Sequence, residues 1–198
     1  PYNLSISKTT ITENVGNGSA VRRVLPFSGH ACPTLPSTLD DNAGGRFAIH
    51  GATGVVTVAD GSLLDRETAA SHGIVVRATS ADGSFSTQAF TINVSDVDEF
   101  DVGAATDTNA GANTVAENAG NGSAVGITAS ASDADATNNG ITYALDDPAG
   151  GRFAINAATG VVTVADGSLI DRESAASYDI VVRATSADGS FSTQVFTI

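Results

Sequence analysis

Oxygen-bearing side chains gather in four groups along this 198-residue sequence. Calcium takes about six to eight oxygen ligands, so its site appears in a sequence as several Asp, Glu and Asn residues on loops that a fold can bring together. The groups therefore predict a calcium site. They are Glu13; Asp65 and Glu67; Asp96, Asp98 and Glu99; and Asp133, Asp135 and Asn139.

Other site chemistries fit the sequence less well. The segment that begins at Asp133 is not an EF-hand loop, because its sixth position would be Asn138 rather than glycine and its twelfth Ala144 rather than Glu. The three histidines are isolated, which argues against zinc. The sequence has no Gly-x-Ser-x-Gly elbow and no glycine-rich phosphate loop that opens a helix. We therefore predict no catalytic residues and no enzyme activity.

Charge and composition narrow the range of partners. The 22 acidic residues outnumber the 9 basic ones and give a formal net charge of -13, which repels nucleic acid and anionic membranes. No segment approaches the roughly 20 apolar residues that span a bilayer, so we predict no membrane insertion. The single cysteine, Cys32, excludes an internal disulfide. Cations are the expected partners.

An internal repeat defines the domain organisation that must position the acids. Residues 44–67 and 150–173 differ at three positions, and residues 74–92 and 180–198 differ only at Ala89 versus Val195. The offset of 106 residues is the length of a whole domain, well beyond the period of about 20–50 residues found in solenoids. We predict domains at residues 1–99 and 100–198, the second ending before its own linker.

Each repeat has the pattern of a small β-domain. Short Val- and Ile-rich segments alternate with Gly- and Asn-containing turns, as in 153–155 and 161–164, or 180–185 and 195–198, which predict hairpins. Adding segments around Val115, 125–129 and 141–145 gives about seven strands per repeat. The predicted fold is all-β: two tandem seven-stranded Greek-key sandwiches of immunoglobulin-like type, joined end to end by the acidic segment 96–101.

The ordered set of acidic motifs resembles the cadherin repeat family, and more closely the cadherin-like repeats of large bacterial surface adhesins, over essentially the full chain. The resemblance implies an extracellular, secreted or cell-surface protein in which calcium rigidifies the interdomain junction for adhesion. Its partners would be copies of itself, other cell-surface ligands or polysaccharide. The first repeat would contribute Glu13, Asp65, Glu67, Asp96, Asp98 and Glu99, and the second Asp133, Asp135 and Asn139.

The chain departs from the family pattern in three places. Ser186 stands where an Asp usually follows Ala-Thr, with Asp188 the nearest acid. Either residue could supply the ligand, or one calcium ion could be weakly held. Phe100 stands where the family often has Asn. Residues 22–38 share almost nothing with residues 126–144 of the second repeat, which suggests a compensated shift of reading frame. Glu117, Asp171 and Glu173 form an unpaired half-site.

A calcium-dependent carbohydrate-binding module is the alternative function. Calcium can bind sugar hydroxyls directly, in which case the ion would lie in an open site beside exposed aromatic residues. An ion enclosed by both repeats would instead indicate a structural spacer.

Overall fold

The computed structural model describes residues 3–5, 9–23, 25–27 and 35–198, which contain sixteen strands and two short 3-10 turns. The predicted all-β class is confirmed. Contacts divide the chain into two compact units, Pro1–Val97 and Asp98–Ile198. Residues 24 and 28–34, which belong to the segment 22–38 of proposed frame shift, lie outside the described residues.

The first unit is built from nine strand segments in the described residues. The segments are β1 (Asn3–Ser5), β2 (Thr10–Thr12), β3 (Ala20–Arg23), β4 (Leu25–Phe27), β5 (Ser37–Asp41), β6 (Phe47–His50), β7 (Val55–Val58), β8 (Ser71–Thr79) and β9 (Phe85–Ser95). Strands β2, β9, β8 and β5 form one sheet in that order, strands β3, β7 and β6 form another, and β1 pairs with β4.

Both sheets of the first unit contribute to one hydrophobic core. Alternate residues of β8, Ile74, Val76 and Ala78, are buried, as the period of two in a half-buried strand requires. They lie in the same core cluster as Phe47 and Val56 of the other sheet. A sandwich follows from this arrangement, with the intervening residues facing outward.

The second unit repeats this architecture with seven strands in the described residues. The strands are β10 (Thr106–Asp107), β11 (Ala124–Ser130), β12 (Ile141–Asp147), β13 (Phe153–Ile155), β14 (Val161–Val164), β15 (Asp179–Ser186) and β16 (Phe191–Thr197). Strands β10, β11, β14 and β13 form one sheet, and β12, β15 and β16 form the other. The core of this unit likewise draws side chains from both sheets.

The predicted hairpins are confirmed, but the strand expected around Val115 is wrong. Strands β13 and β14 pair antiparallel, as do β15 and β16. Val115 is half-buried and lies in no strand. In the first unit the corresponding Ile11 pairs with Val94 at the end of β9.

A 3-10 turn leads into the Asp-Arg-Glu motif of each unit. In the first unit the turn Gly61–Leu63 is capped by Asp60, whose carboxylate accepts from the backbone N–H of Ser62. A residue with a side chain would clash at position 61, since a Cβ added to Gly61 would lie 1.9 Å from the carbonyl oxygen of Val15. The close approach therefore requires glycine at position 61.

Candidate metal centre

Three groups of carboxylates converge within the described residues. In each group, one ligand oxygen from every residue lies within 4.8 Å of the others. We name them the first-unit cluster (Glu13, Asp65, Glu67), the second-unit cluster (Asp98, Asp135, Asp188) and the terminal cluster (Glu117, Asp171, Glu173). Oxygens that share one calcium at about 2.4 Å are separated by at most about 4.8 Å, so each spacing fits that ion.

Glu13 is the anchor of the first-unit cluster. Its side chain is only 2% exposed. Its Oε2 accepts the backbone N–H of Arg66 at 2.5 Å, and its Oε1 accepts that of Val97 at 2.7 Å. Burial of a carboxylate is tolerated because both oxygens are hydrogen bonded. One carboxylate therefore ties the Asp-Arg-Glu turn to the end of the first unit.

Asp65 is held in its own turn. Its Oδ1 accepts the backbone N–H of Thr68 at 2.8 Å, and its Oδ2 accepts the Thr68 hydroxyl at 2.8 Å. The backbone donor, and after it the hydroxyl, hold the pKa of Asp65 below its usual value. Asp65 is thus fixed as an anion beside the exposed Glu67.

The second-unit cluster concentrates negative charge. Asp135 is 3% exposed, and its two oxygens accept the backbone N–H groups of Glu99 and Phe100, each at 3.3 Å. Loss of hydration, followed by the charges of Asp188 and Asp135, raises the pKa of Asp98. Both causes disfavour the charged form of Asp98, and a cation bound between these carboxylates would favour it.

Asp133 and Asn139 lie next to this cluster and support it. The Ser186 hydroxyl donates to Asp133 Oδ2, and this bond, followed by the backbone N–H of Asp135, lowers the pKa of Asp133. The Asn139 side-chain amide donates to the carbonyl oxygen of Asp135 at 2.6 Å. Both residues thus hold the loop that carries Asp135.

Five of the nine sequence-predicted residues lie in two of these clusters. Glu13, Asp65 and Glu67 converge, and so do Asp98 and Asp135. Glu99 contributes its backbone N–H to Asp135. Asp96 is half-buried in the first unit. Asp188 was left open on the sequence but stands in the second-unit cluster; its position two residues after the missing Asp was the available signal.

The terminal cluster is the repeat counterpart of the first-unit cluster but is more open. Glu117, Asp171 and Glu173 are all exposed. Glu117 Oε2 accepts the backbone N–H of Arg172 at 3.4 Å, a longer bond than its counterpart at Glu13. The same motif therefore gives a buried anchor in one unit and an exposed carboxylate in the other.

The donor set of all three clusters consists of carboxylate oxygens, which suits a hard cation such as calcium rather than zinc. The residues therefore fit the ion that the sequence predicts. The fold and these clusters together define a tandem β-sandwich protein with candidate divalent-cation sites. Among the described residues, helices long and apolar enough to cross a bilayer are absent.

Comparison with known proteins shows sequence similarity to cadherins. Residues 112–198 match the family model of the cadherin domain. The mouse cadherin EGF LAG seven-pass G-type receptor 1 is 31% identical over 184 residues, which is 89% of this chain and 6% of that protein. The chain thus spans a small fraction of this relative.

Solved structures give the same fold. Mouse cadherin-23 EC22-24 superposes with a TM-score of 0.73 at 20% identity, over 99% of this chain and 64% of that chain. Chicken VE-cadherin EC1-2 superposes with a TM-score of 0.67 at 21% identity, over 95% of each chain. The fold is therefore that of cadherin extracellular domains.

Proposed function

We propose that this chain is a pair of calcium-binding cadherin-like repeats from an extracellular adhesion protein, with calcium stiffening the junction between the repeats. The ligands would be the nine residues of the predicted set, Glu13, Asp65, Glu67, Asp96, Asp98, Glu99, Asp133, Asp135 and Asn139. The oxygen-only chemistry of the clusters and the likeness to cadherins support this assignment.

The observation that carries the proposal is the place of Val97 and Asp98 in the chain. The N–H of Val97 closes the first-unit cluster on Glu13, and Asp98 belongs to the second-unit cluster. These residues are consecutive, and consecutive Cα atoms are about 3.8 Å apart. A single peptide bond therefore joins Val97, which donates to the proposed ligand Glu13 of the first unit, to Asp98, a proposed ligand in the second unit.

Charge gives the proposed mechanism. Bound calcium would neutralise the carboxylates around Asp98, whose pKa is raised by loss of hydration and then by the charges of Asp188 and Asp135. The backbone donors on Glu13 and Asp135 already hold those anchors in place, so few groups need to be ordered on binding. The linker would then lose its freedom, and a series of such junctions would make a stiff arm that presents a binding surface away from the cell.

The test is calcium titration of the 198-residue chain by calorimetry, with small-angle scattering and thermal melting in chelator and in calcium. We expect saturable binding with a dissociation constant on the order of 0.1–1 mM, as in extracellular calcium modules. At about 100 times that constant, binding stabilises the folded state by about 2.7 kcal/mol. The scattering should also indicate a narrower range of overall dimensions in calcium.

A matched pair of variants makes the test specific. Asp135→Asn removes a buried carboxylate of the second-unit cluster and should abolish most of the calcium response. Asp82→Asn removes an exposed carboxylate that belongs to none of the clusters found in the described residues, and it should leave the response intact. Identical melting and scattering of the parent chain with and without calcium would overturn the proposal.

The origin of the chain in a large bacterial surface adhesin rests on the sequence resemblance alone, since the relatives described above come from mouse and chicken. The adhesion partner is also proposed from the sequence resemblance, and the proposal includes both self-association and binding of a cell-surface ligand. Beads coated with the chain distinguish the two. They should cluster in calcium if copies of the chain bind one another, whereas binding of a cell-surface ligand requires a second surface that carries that ligand.

A further inference from the structure

The hairpin turn between β15 and β16 departs from the family pattern in a way that affects the second-unit cluster. Ser186 occupies the position at which the resemblance places an Asp. Its side chain is 4% exposed, and its hydroxyl donates to Asp133 Oδ2 and lies 3.1 Å from the carbonyl oxygen of Asn138. A hydroxyl has one proton, and here that proton serves Asp133. Ser186 thus holds a neighbouring carboxylate and supplies no charge of its own.

Asp188, two residues further on, supplies the missing charge. Its carboxylate lies within 4.8 Å of those of Asp98 and Asp135. It is held by the backbone N–H of Ser190 at 2.6 Å and by the Ser190 hydroxyl at 3.1 Å. The same hydroxyl accepts the backbone N–H of Val102 at 3.0 Å. A short chain of hydrogen bonds therefore fixes Asp188 against the first residues of the second unit.

The first unit provides a comparison within the same molecule. Residues 80–84 have the same sequence as residues 186–190, Ser-Ala-Asp-Gly-Ser. Asp82 also accepts from its serine, through the backbone N–H of Ser84 at 3.0 Å and the hydroxyl at 2.7 Å. It is exposed, however, and joins no acidic cluster in the part of the chain that the structure describes. The turn alone therefore does not make the site; the surrounding acids do.

We propose that Asp188 replaces the carboxylate that position 186 lacks and binds calcium directly in the second-unit cluster, while Ser186 is a positioning residue that orients Asp133. This inference rests on the proposed function and adds to it a ligand outside the predicted set. It also assigns the two candidates that the sequence left open to different roles.

The decisive experiment compares calcium titrations of the full chain with those of Asp188→Asn and Asp82→Asn. Both variants remove one charge from the same turn sequence, so they share any effect on the hairpin itself. We expect Asp188→Asn to weaken calcium binding by about tenfold or more, since affinity follows the number of charged ligands, and Asp82→Asn to leave it unchanged. Circular dichroism in chelator verifies that each variant is folded.

A rescue variant keeps the test decisive if Asp188→Asn disturbs the turn. The double substitution Ser186→Asp with Asp188→Asn moves the carboxylate back to the family position and should recover most of the lost affinity. For the positioning role, Ser186→Ala should weaken binding less than Asp188→Asn, and Ser186→Thr, which keeps the hydroxyl, should restore it.

The outcomes separate this inference from the function on which it rests. If the parent chain binds no calcium, both fall. If the parent binds calcium and Asp188→Asn binds it equally well, the role of Asp188 is overturned and the proposed function stands. If Ser186→Ala weakens binding more than Asp188→Asn does, the two roles are the reverse of those assigned here.

Discussion

The structural role of Glu13 can be tested without metal, by comparing its effect on stability with that of Glu117. These two residues occupy the same position of the repeat but differ sharply in burial. Glu13→Ala removes a carboxylate that is 2% exposed and accepts two backbone N–H groups. Glu117→Ala removes an exposed carboxylate with one bond of 3.4 Å to Arg172. The two substitutions are identical in chemistry and occupy the same motif, so their difference isolates the contribution of the environment.

The magnitude follows from the hydrogen bonds. A buried donor left without a partner costs about 1–3 kcal/mol, and Glu13→Ala leaves two partly buried donors, so the first unit should lose about 2–4 kcal/mol of unfolding free energy. Glu13→Gln keeps one acceptor and places an amide opposite the other donor, for a loss of about 2 kcal/mol. Glu117→Ala should cost less than about 0.5 kcal/mol, as is usual for an exposed site.

The assay is urea unfolding in chelator at neutral pH, combined with hydrogen exchange followed by mass spectrometry. Exchange assigns each loss to a unit, and the amides of Arg66 and Val97 should become the least protected sites in Glu13→Ala. Equal losses in Glu13→Ala and Glu117→Ala, or unchanged exchange at these two amides, would refute the view that Glu13 is a structural anchor.

Two further predictions use the repeat in the same way. Gly167→Ala should destabilise the second unit by more than about 2 kcal/mol, because the added Cβ would lie 1.8 Å from a backbone carbonyl oxygen. Gly120→Ala, where an added Cβ has open space around it, should be neutral in the same melting experiment. Burial, followed by the charge of Arg46, lowers the pKa of His72 below its usual 6.5, so the unfolded state binds the proton more readily and first-unit stability should fall as the pH drops below about 6.5. His72→Tyr, which copies Tyr178 of the second unit, should remove that part of the pH dependence; parallel stability curves for parent and variant from about pH 7 to 5 would contradict this.

The fold could be predicted because its signals are local and occur twice. Alternating apolar residues in β15 and the turn residues before Gly160 and Gly189 determine strands and hairpins without reference to distant residues. The strand expected at Val115 failed because strand formation there depends on a partner far along the chain, as Ile11 depends on Val94. The domain limits of residues 1–99 and 100–198 remain a prediction.

The candidate site could be predicted by residue type but not by role. The order of the motifs predicted that Glu13 lies near the Asp-Arg-Glu turn. The backbone N–H groups that hold its carboxylate, however, belong to residues 53 and 84 positions away in the sequence. Ser186 and Asp188 were indistinguishable on the sequence, because a turn of five residues can direct either side chain toward the cluster. The structure separates them through Asp133 and Ser190, which are contacts that no local pattern encodes.

The parallel pairing of β2 with the end of β9 has a mechanical consequence. Thr10 lies opposite Asn93 and Thr12 opposite Ser95, and both strands run in the same direction. A pulling force that enters before β2 and leaves after β9 draws the two strands past each other lengthwise. Their hydrogen bonds lie across that direction, so they share the load and must rupture together, whereas an antiparallel pair pulled from one end unzips bond by bond. Under tension, this short ladder would act as a shear clamp that slows forced extension of the first unit.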